Sequence, residues 1–206
     1  MPKRSRTNKR LVLLWSSAWA LAAIGGLVAF HAVMNEPGQY GATPVRLEAD
    51  RGGYNAAASV FYFAHPHCGC TTDTIPLLAK RADATDAAIT VVLTGPAADS
   101  LDWELSKNAQ AAARHDSLRI AHDPQGSKAQ RFGALTSGHT VMYTPAGDLA
   151  FSGGLTASRG KAGPSAGLKA LDAVLAGIAP EQSTAPVFGC RLFDPDARTP
   201  TQDNER

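Results

Sequence analysis

Charge disappears from this chain between Leu11 and Val33, where Leu, Val, Ala, Ile, Trp and Phe dominate and His31 alone is ionisable. As a helix rising 1.5 Å per residue, that run extends roughly 34 Å, enough for a hydrocarbon core of about 30 Å. Residues 11–34 are therefore predicted to be a transmembrane helix, in which Ser16, Ser17 and the Gly25-Gly26 pair are tolerable. Pro37, Gly38, Gly41, Pro44, Gly52 and Gly53 then mark 35–55 as a tether with turns, with room for a short edge strand at 44–49. Residues 59–64 are aromatic and β-branched enough for a buried strand, and Thr71, Thr72, Asp73 and Thr74 offer caps for a helix running towards Lys80. A second buried strand covers 88–94 and is stopped by Gly95-Pro96. Asp99 or Ser100 caps a helix through Trp103, Leu105, Ala109 and Ala112 to about His115, followed by a short strand at 117–121 and a small helix at 127–132. Residues 140–143 and 149–152 form a hairpin around Pro145-Ala146-Gly147-Asp148. Leu168, Leu171, Val174, Leu175 and Ile178 repeat at helical spacing.

The order β-α-β-α-β-α-β-β-α, with crossovers early and a hairpin late, implies the α/β class: a mixed central sheet with helices on both faces. Residues 56–192 form one domain of ordinary size, able to bury a core without disulfide staples. The polar, apolar-poor stretch 193–206 is expected to be a disordered tail.

Charge then fixes a direction. Lys3, Arg4, Arg6, Lys9 and Arg10 fall within the basic segment 1–10, which has no acid, so a chain of net charge +2 carries −3 beyond it. Basic flanks stay in the cytoplasm, which places the C-terminal domain in the periplasm behind a single-pass inner-membrane anchor. A cleaved signal is the competing reading, weakened by the long apolar run and the lack of an Ala-x-Ala site. Nothing in the exported part suggests nucleic acid as a partner.

Outside the cytosol, disulfides form and persist, and the three cysteines acquire a redox meaning. Cys68 and Cys70 lie in His65-Pro66-His67-Cys68-Gly69-Cys70, between a strand and a helix N-terminus whose unpaired N–H groups favour thiolate over thiol. Protonated His65 or His67 would act in the same sense. One residue between the cysteines makes a Cys68–Cys70 ring tight, relieved in part by Gly69, and a strained bond is more oxidising. Cys190 is either a resolving thiol for that pair or a small buried cysteine beside Val187 and Phe188. Arg159 is a further modulator able to steady a thiolate, or an ordinary solvated arginine.

These segments together resemble a known group. His65-Pro66-His67-Cys68-Gly69-Cys70, Thr136-Ser137-Gly138-His139, the run from Phe151 to Gly160 and Val187-Phe188-Gly189-Cys190 are similar to the RedB family of small bacterial thioredoxin-like proteins. The resemblance implies a thioredoxin-like fold and thiol–disulfide exchange with a protein partner or assembly factor. By analogy with the first cysteine of thioredoxin motifs, Cys68 attacks and Cys70 resolves. Two departures matter: ordinary thioredoxins put two residues between the cysteines, and their cis proline before the hairpin is missing here, Gly138 or His139 standing near its position.

A rival reading takes copper as cofactor. Gly138-His139-Thr140-Val141-Met142-Tyr143 followed by Gly147 is similar to the copper-histidine strand of Sco assembly proteins, which share the fold and use two cysteines with that histidine. Cys68, Cys70 and one of His65, His67 or His139, the last being the candidate this similarity singles out, would then hold Cu(I), for which thiolate and imidazole are suitable ligands. Sco proteins separate their cysteines by three residues, and this chain does not. A thioredoxin fold that only binds a partner is a third reading, against which the intact thiol pair speaks. The glycines at 154 and 160 are too far apart for a phosphate loop, and neither a Gly-x-Ser-x-Gly element nor a His-Glu-x-x-His helix is present.

Overall fold

In a computed structural model, which describes residues 6–47, 57–95 and 103–192, the chain divides into two units at residues 36 and 37. The first contains helix α1 (Arg6–Met34), whose stretch Lys9–Met34 has the length and apolar composition of a membrane span and equally of a signal sequence. Ser16 and Ser17 return their hydroxyl protons to the carbonyls of Val12 and Leu13, each at 2.8 Å. Neither needs a partner outside the helix, as an apolar surrounding requires.

The second unit is built on a six-stranded sheet of order β3-β2-β1-β4-β5-β6. Its centre is β1 (Ser59–Ala64), buried at every position, with β2 (Ala88–Gly95) parallel on one side and β4 (His139–Tyr143) antiparallel on the other. β3 (Arg119–Pro124) extends the parallel half; β5 (Leu149–Gly154) and β6 (Thr184–Ala185) extend the other. Alternation along β1 divides the core: Val60 and Tyr62 face α3 (Ile75–Ala82), α4 (Lys107–Ala113) and α6 (Ala166–Leu175), while Phe61 and Phe63 face α5 (Ser127–Arg131), Phe132 and Tyr143. Between β1 and α3 lies the short α2 (Gly69–Thr72). This is the thioredoxin-like arrangement expected from the element order.

Local departures have local causes. The helix expected to run from Asp99 or Ser100 to His115 starts only at Ser106, whose hydroxyl accepts from the Ala109 N–H at 3.2 Å, after a single 3-10 turn at 103–105. Asp99 and Ser100 lie outside the described residues, as does the tail from 193. The two-residue β6 is too short for any periodic signal and was not anticipated.

The expected tether needs correction as far as Leu47. Residues 37–47 lie along the domain: the Gly38 N–H donates to Val187, the Gly41 N–H to Gly133, Tyr143 Oη to Pro44, and the Leu47 N–H to Gly147. Glycine and proline look like linker composition, but here they are the residues that let one backbone approach another. Arg46 bridges Asp148, so the expected edge strand is reduced to one pairing within its described part.

Candidate functional site

β1 ends at Ala64, and a turn closed by the Cys68 N–H donating to the His65 carbonyl at 3.0 Å delivers Cys68 to the N-cap of α2. The His67 N–H leans on His65 Nδ1 at 3.2 Å. Thr71 Oγ1 donates to the Cys68 carbonyl at 2.9 Å, and Tyr62 Oη reaches the Thr71 carbonyl at 3.1 Å from the sheet below. The central clamp is Asn108, fully buried at the start of α4. Its Nδ2 serves the His65 carbonyl at 2.7 Å, the Cys68 carbonyl at 3.1 Å and Thr71 Oγ1 at 3.0 Å, while its Oδ1 accepts from Thr72 Oγ1 at 2.7 Å. One side chain thus holds the thiol loop at four points.

The turn before β4 faces this loop. Gly138 has φ +92°, a conformation open to glycine, and its N–H donates to the Phe63 carbonyl at 2.7 Å. No described peptide bond is cis. What approaches the thiols here is the end of the domain. The Ser137 N–H donates to the Cys190 carbonyl at 2.8 Å, the Leu192 N–H to Leu135 at 3.0 Å, and Thr136 bridges Arg191 antiparallel. A Cβ on Gly189 would collide with the Ser137 carbonyl, so only glycine permits this approach. Arg159 Nη1 donates to the Gly189 carbonyl, tying the glycine-rich loop to the same strap.

Cys68, Cys70 and Cys190 are thereby brought together as free thiols, the first buried, the second half-buried and the third exposed. Burial pushes the Cys68 thiol up, but hydrogen bonds from the Cys190 thiol and N–H, the Ser137 hydroxyl and the Cys70 N–H outweigh it, and the net shift is downward. Ser137 Oγ accepts from the His65 N–H at 2.9 Å, and its single proton is shared between the Cys68 sulfur and Thr71 Oγ1, 3.3 Å away, whose own proton is committed to the Cys68 carbonyl. Cys70 is pushed up by burial and by the neighbouring Cys68 charge, against relief from Arg159 and the Gly160 N–H. Cys190 is pushed up to about 12, by burial first and then by donating to the Cys68 sulfur and sitting in its field. These shifts make Cys68 the most acidic of the three thiols, with Cys70 and Cys190 holding their protons more tightly beside it.

His139 is not brought to that cluster. Alternation along β4 puts it with Val141 and Tyr143 on the Phe61 and Phe63 side of the sheet, across from α2, which rests over Tyr62. It is fully buried, edge-on to Tyr40 with centroids 5.3 Å apart, and Nε2 contacts Ser152 Oγ at 2.8 Å. The expected copper set of Cys68, Cys70 and His139 is therefore not assembled, and among the described residues no three His, Cys, Asp or Glu side chains form a metal-holding group. His65 and His67 stand beside the thiol loop, ring centroids 6.0 Å apart. The bland reading of Cys190 as a buried packing residue is corrected by its exposure.

Sequence reasoning missed Asn108 altogether and the part played by Ser137. An asparagine at the first turn of an alanine-rich helix looks like a surface residue, and only the packing of α4 on α2 buries it.

No family model matches the chain, and no curated protein matches it. Solved structures do share its fold. A hypothetical protein from Sinorhizobium meliloti 1021 superposes with a TM-score of 0.56 at 21% identity over 76% of this chain and 93% of that one. An uncharacterized conserved protein from Geobacillus kaustophilus gives 0.58 at 19% identity over 80% and 95%. A thioredoxin-like protein solved in its oxidised form overlaps at 0.46 with 18% identity over 70% and 98%.

Proposed function

We propose that this protein is a membrane-anchored thiol–disulfide oxidoreductase facing the periplasm, acting on a protein thiol or disulfide partner, and that it is of the RedB kind. The observation carrying this is the setting of Cys68: a thiol at a strand–helix junction whose sulfur receives donors from Ser137, Cys70 and Cys190 strong enough to overcome its burial. A thiol whose proton affinity is lowered in this way is a better leaving group in thiol–disulfide exchange. Cys70 supplies a second thiol within the same turn, and Arg159 with the Gly160 N–H partly offsets the burial and the Cys68 charge that push it up. The basic segment before α1 supports a cytoplasmic N-terminus and hence an exported domain.

The test is Cys68→Ser in the full chain, assayed for disulfide reduction and for oxidation of a peptide dithiol. Both activities should vanish, while His139→Gln, across the sheet, should keep most of them. Equal loss in the two variants, together with a Cu(I) competition titration that shifts on His139→Gln, would turn the assignment to metal binding.

A further inference from the structure

We propose, building on the exchange reading, that the working disulfide joins Cys68 to Cys190 and not to Cys70, and that the substrate thiol enters through the Cys190 sulfur.

The strap that carries Cys190 is fixed where it lies. Backbone pairing from Ser137 to Cys190 and from Leu192 to Leu135 sets its register, Gly189 sits against the Ser137 carbonyl, and Arg159 holds the Gly189 carbonyl from the other side. In that register Cys190 presents both its thiol and its N–H to the Cys68 sulfur. Cys70 also hydrogen-bonds to Cys68, but one residue separates the two, which makes a ring closed between them tight. Bridging Cys68 to Cys70 would demand a turn of the backbone that three bonds oppose: Thr71 N–H, Thr71 Oγ1 and Asn108 Nδ2 all hold the Cys68 carbonyl in its cap position. Bridging Cys68 to Cys190 only replaces a thiol–thiol hydrogen bond by a covalent one.

Exposure then orders the two sulfurs. Cys68 is 1% exposed, whereas Cys190 faces solvent. In the oxidised protein, a substrate thiolate attacks Cys190 Sγ, forming a mixed disulfide there and breaking the Cys68–Cys190 bond. The electron pair of that bond leaves on Cys68, where Ser137 and the two N–H groups receive it. A second substrate thiolate attacks the substrate sulfur of the mixed disulfide and expels Cys190, which takes up a proton. The substrate dithiol has lost two electrons and become a disulfide; the protein holds Cys68 as thiolate and Cys190 as thiol. A disulfide donor of the compartment, such as a protein disulfide or oxidised glutathione, takes the two electrons back and restores the bond. Because the donors around Cys68 stabilise the reduced form, the couple favours oxidation of its substrate.

The experiment is non-reducing tryptic mapping of the full chain equilibrated in a glutathione series, with no variant needed. Cys68 and Cys70 share one tryptic peptide, 52–80, and Cys190 lies in another, 170–191. A cross-link between the two peptides that appears and disappears with the glutathione ratio is expected; a bridge internal to 52–80 overturns the pairing. Oxidised chain mixed with a peptide bearing a single thiol should carry the trapped peptide on 170–191, and trapping on 52–80 overturns the entry route. Cys190→Ser should lose the reversible intramolecular bridge, with unchanged near-ultraviolet circular dichroism as the fold control; a bridge that persists in this variant overturns the pairing. A chain that forms no reversible intramolecular disulfide at any ratio fails the exchange reading itself, whereas a reversible Cys68–Cys70 bridge fails only this pairing.

Discussion

Lowering the pH from 7 to 5 should destabilise the domain through one buried imidazole, by an amount the structure allows to be worked out. Thr43 Oγ1 donates to the Phe132 carbonyl at 3.2 Å, so Ser152 Oγ must donate to Thr43 Oγ1 across 2.7 Å, and His139 Nε2–H must donate to Ser152 Oγ across 2.8 Å. The network assigns the proton to Nε2 and leaves Nδ1 bare, buried and without a partner. Protonating Nδ1 puts a charge where nothing accepts its hydrogen, and burial lowers the pKa from 6.5 to about 4. In the unfolded chain the same group titrates near 6.5. Between those values the unfolded state binds more proton, so stability is full above about 6.5 and is lost as pH falls towards 4. At 1.36 kcal/mol per unit the full window is worth about 3 kcal/mol, and about 2 kcal/mol of it is gone by pH 5. Urea unfolding of the full chain in detergent, followed by near-ultraviolet circular dichroism at several pH values, measures the loss. His139→Gln keeps a donor for Ser152 but does not titrate, so the difference between wild type and variant should vary by that amount over the window. A pH dependence shared equally by both proteins would refute the reasoning.

Asn108→Ala should cost about 2 kcal/mol or more, since it strips donors from the His65 and Cys68 carbonyls and removes the acceptor of Thr72; it should also speed alkylation of Cys68, and an unchanged alkylation rate would show that Asn108 does not hold the loop. Gly189→Ala pushes the strap off the Ser137 carbonyl and with it the Cys190 donors, so the pH midpoint for Cys68 alkylation should rise; a midpoint equal to wild type would mean that the strap does not set the thiolate.

Much of the scaffold was legible because local pattern and final environment agree. Residues 59–64 read as a buried strand from their aromatics and β-branched side chains, and all six are buried. The hairpin around Gly147, with φ +83°, follows from residues a few positions apart. Misreadings arose where composition stood for two environments. The glycines and prolines of 37–47 suit a free linker and equally a strap pressed against Gly133 and Val187, and only the presence of that surface distinguishes them. His139 heads a strand beside a glycine in the manner of a metal ligand, yet the side of the sheet it faces is set by strand register, and the register turns it towards Ser152 and Tyr40.

What the sequence by itself determined is therefore the set of parts: an apolar helix behind a basic flank, a mixed-sheet domain, and a histidine-flanked thiol pair where a strand meets a helix. Periodicity and capping act over a few residues, and no more is needed to specify these. Only the tertiary structure decided which sulfur lies against which. Cys190 is more than a hundred residues from Cys68, and the contact exists because β6 pairs beside β5 and carries the following strap across Ser137. The proton affinity of each thiol is a sum over donors from three separate segments, so it belongs to the assembled site and to no stretch of chain alone.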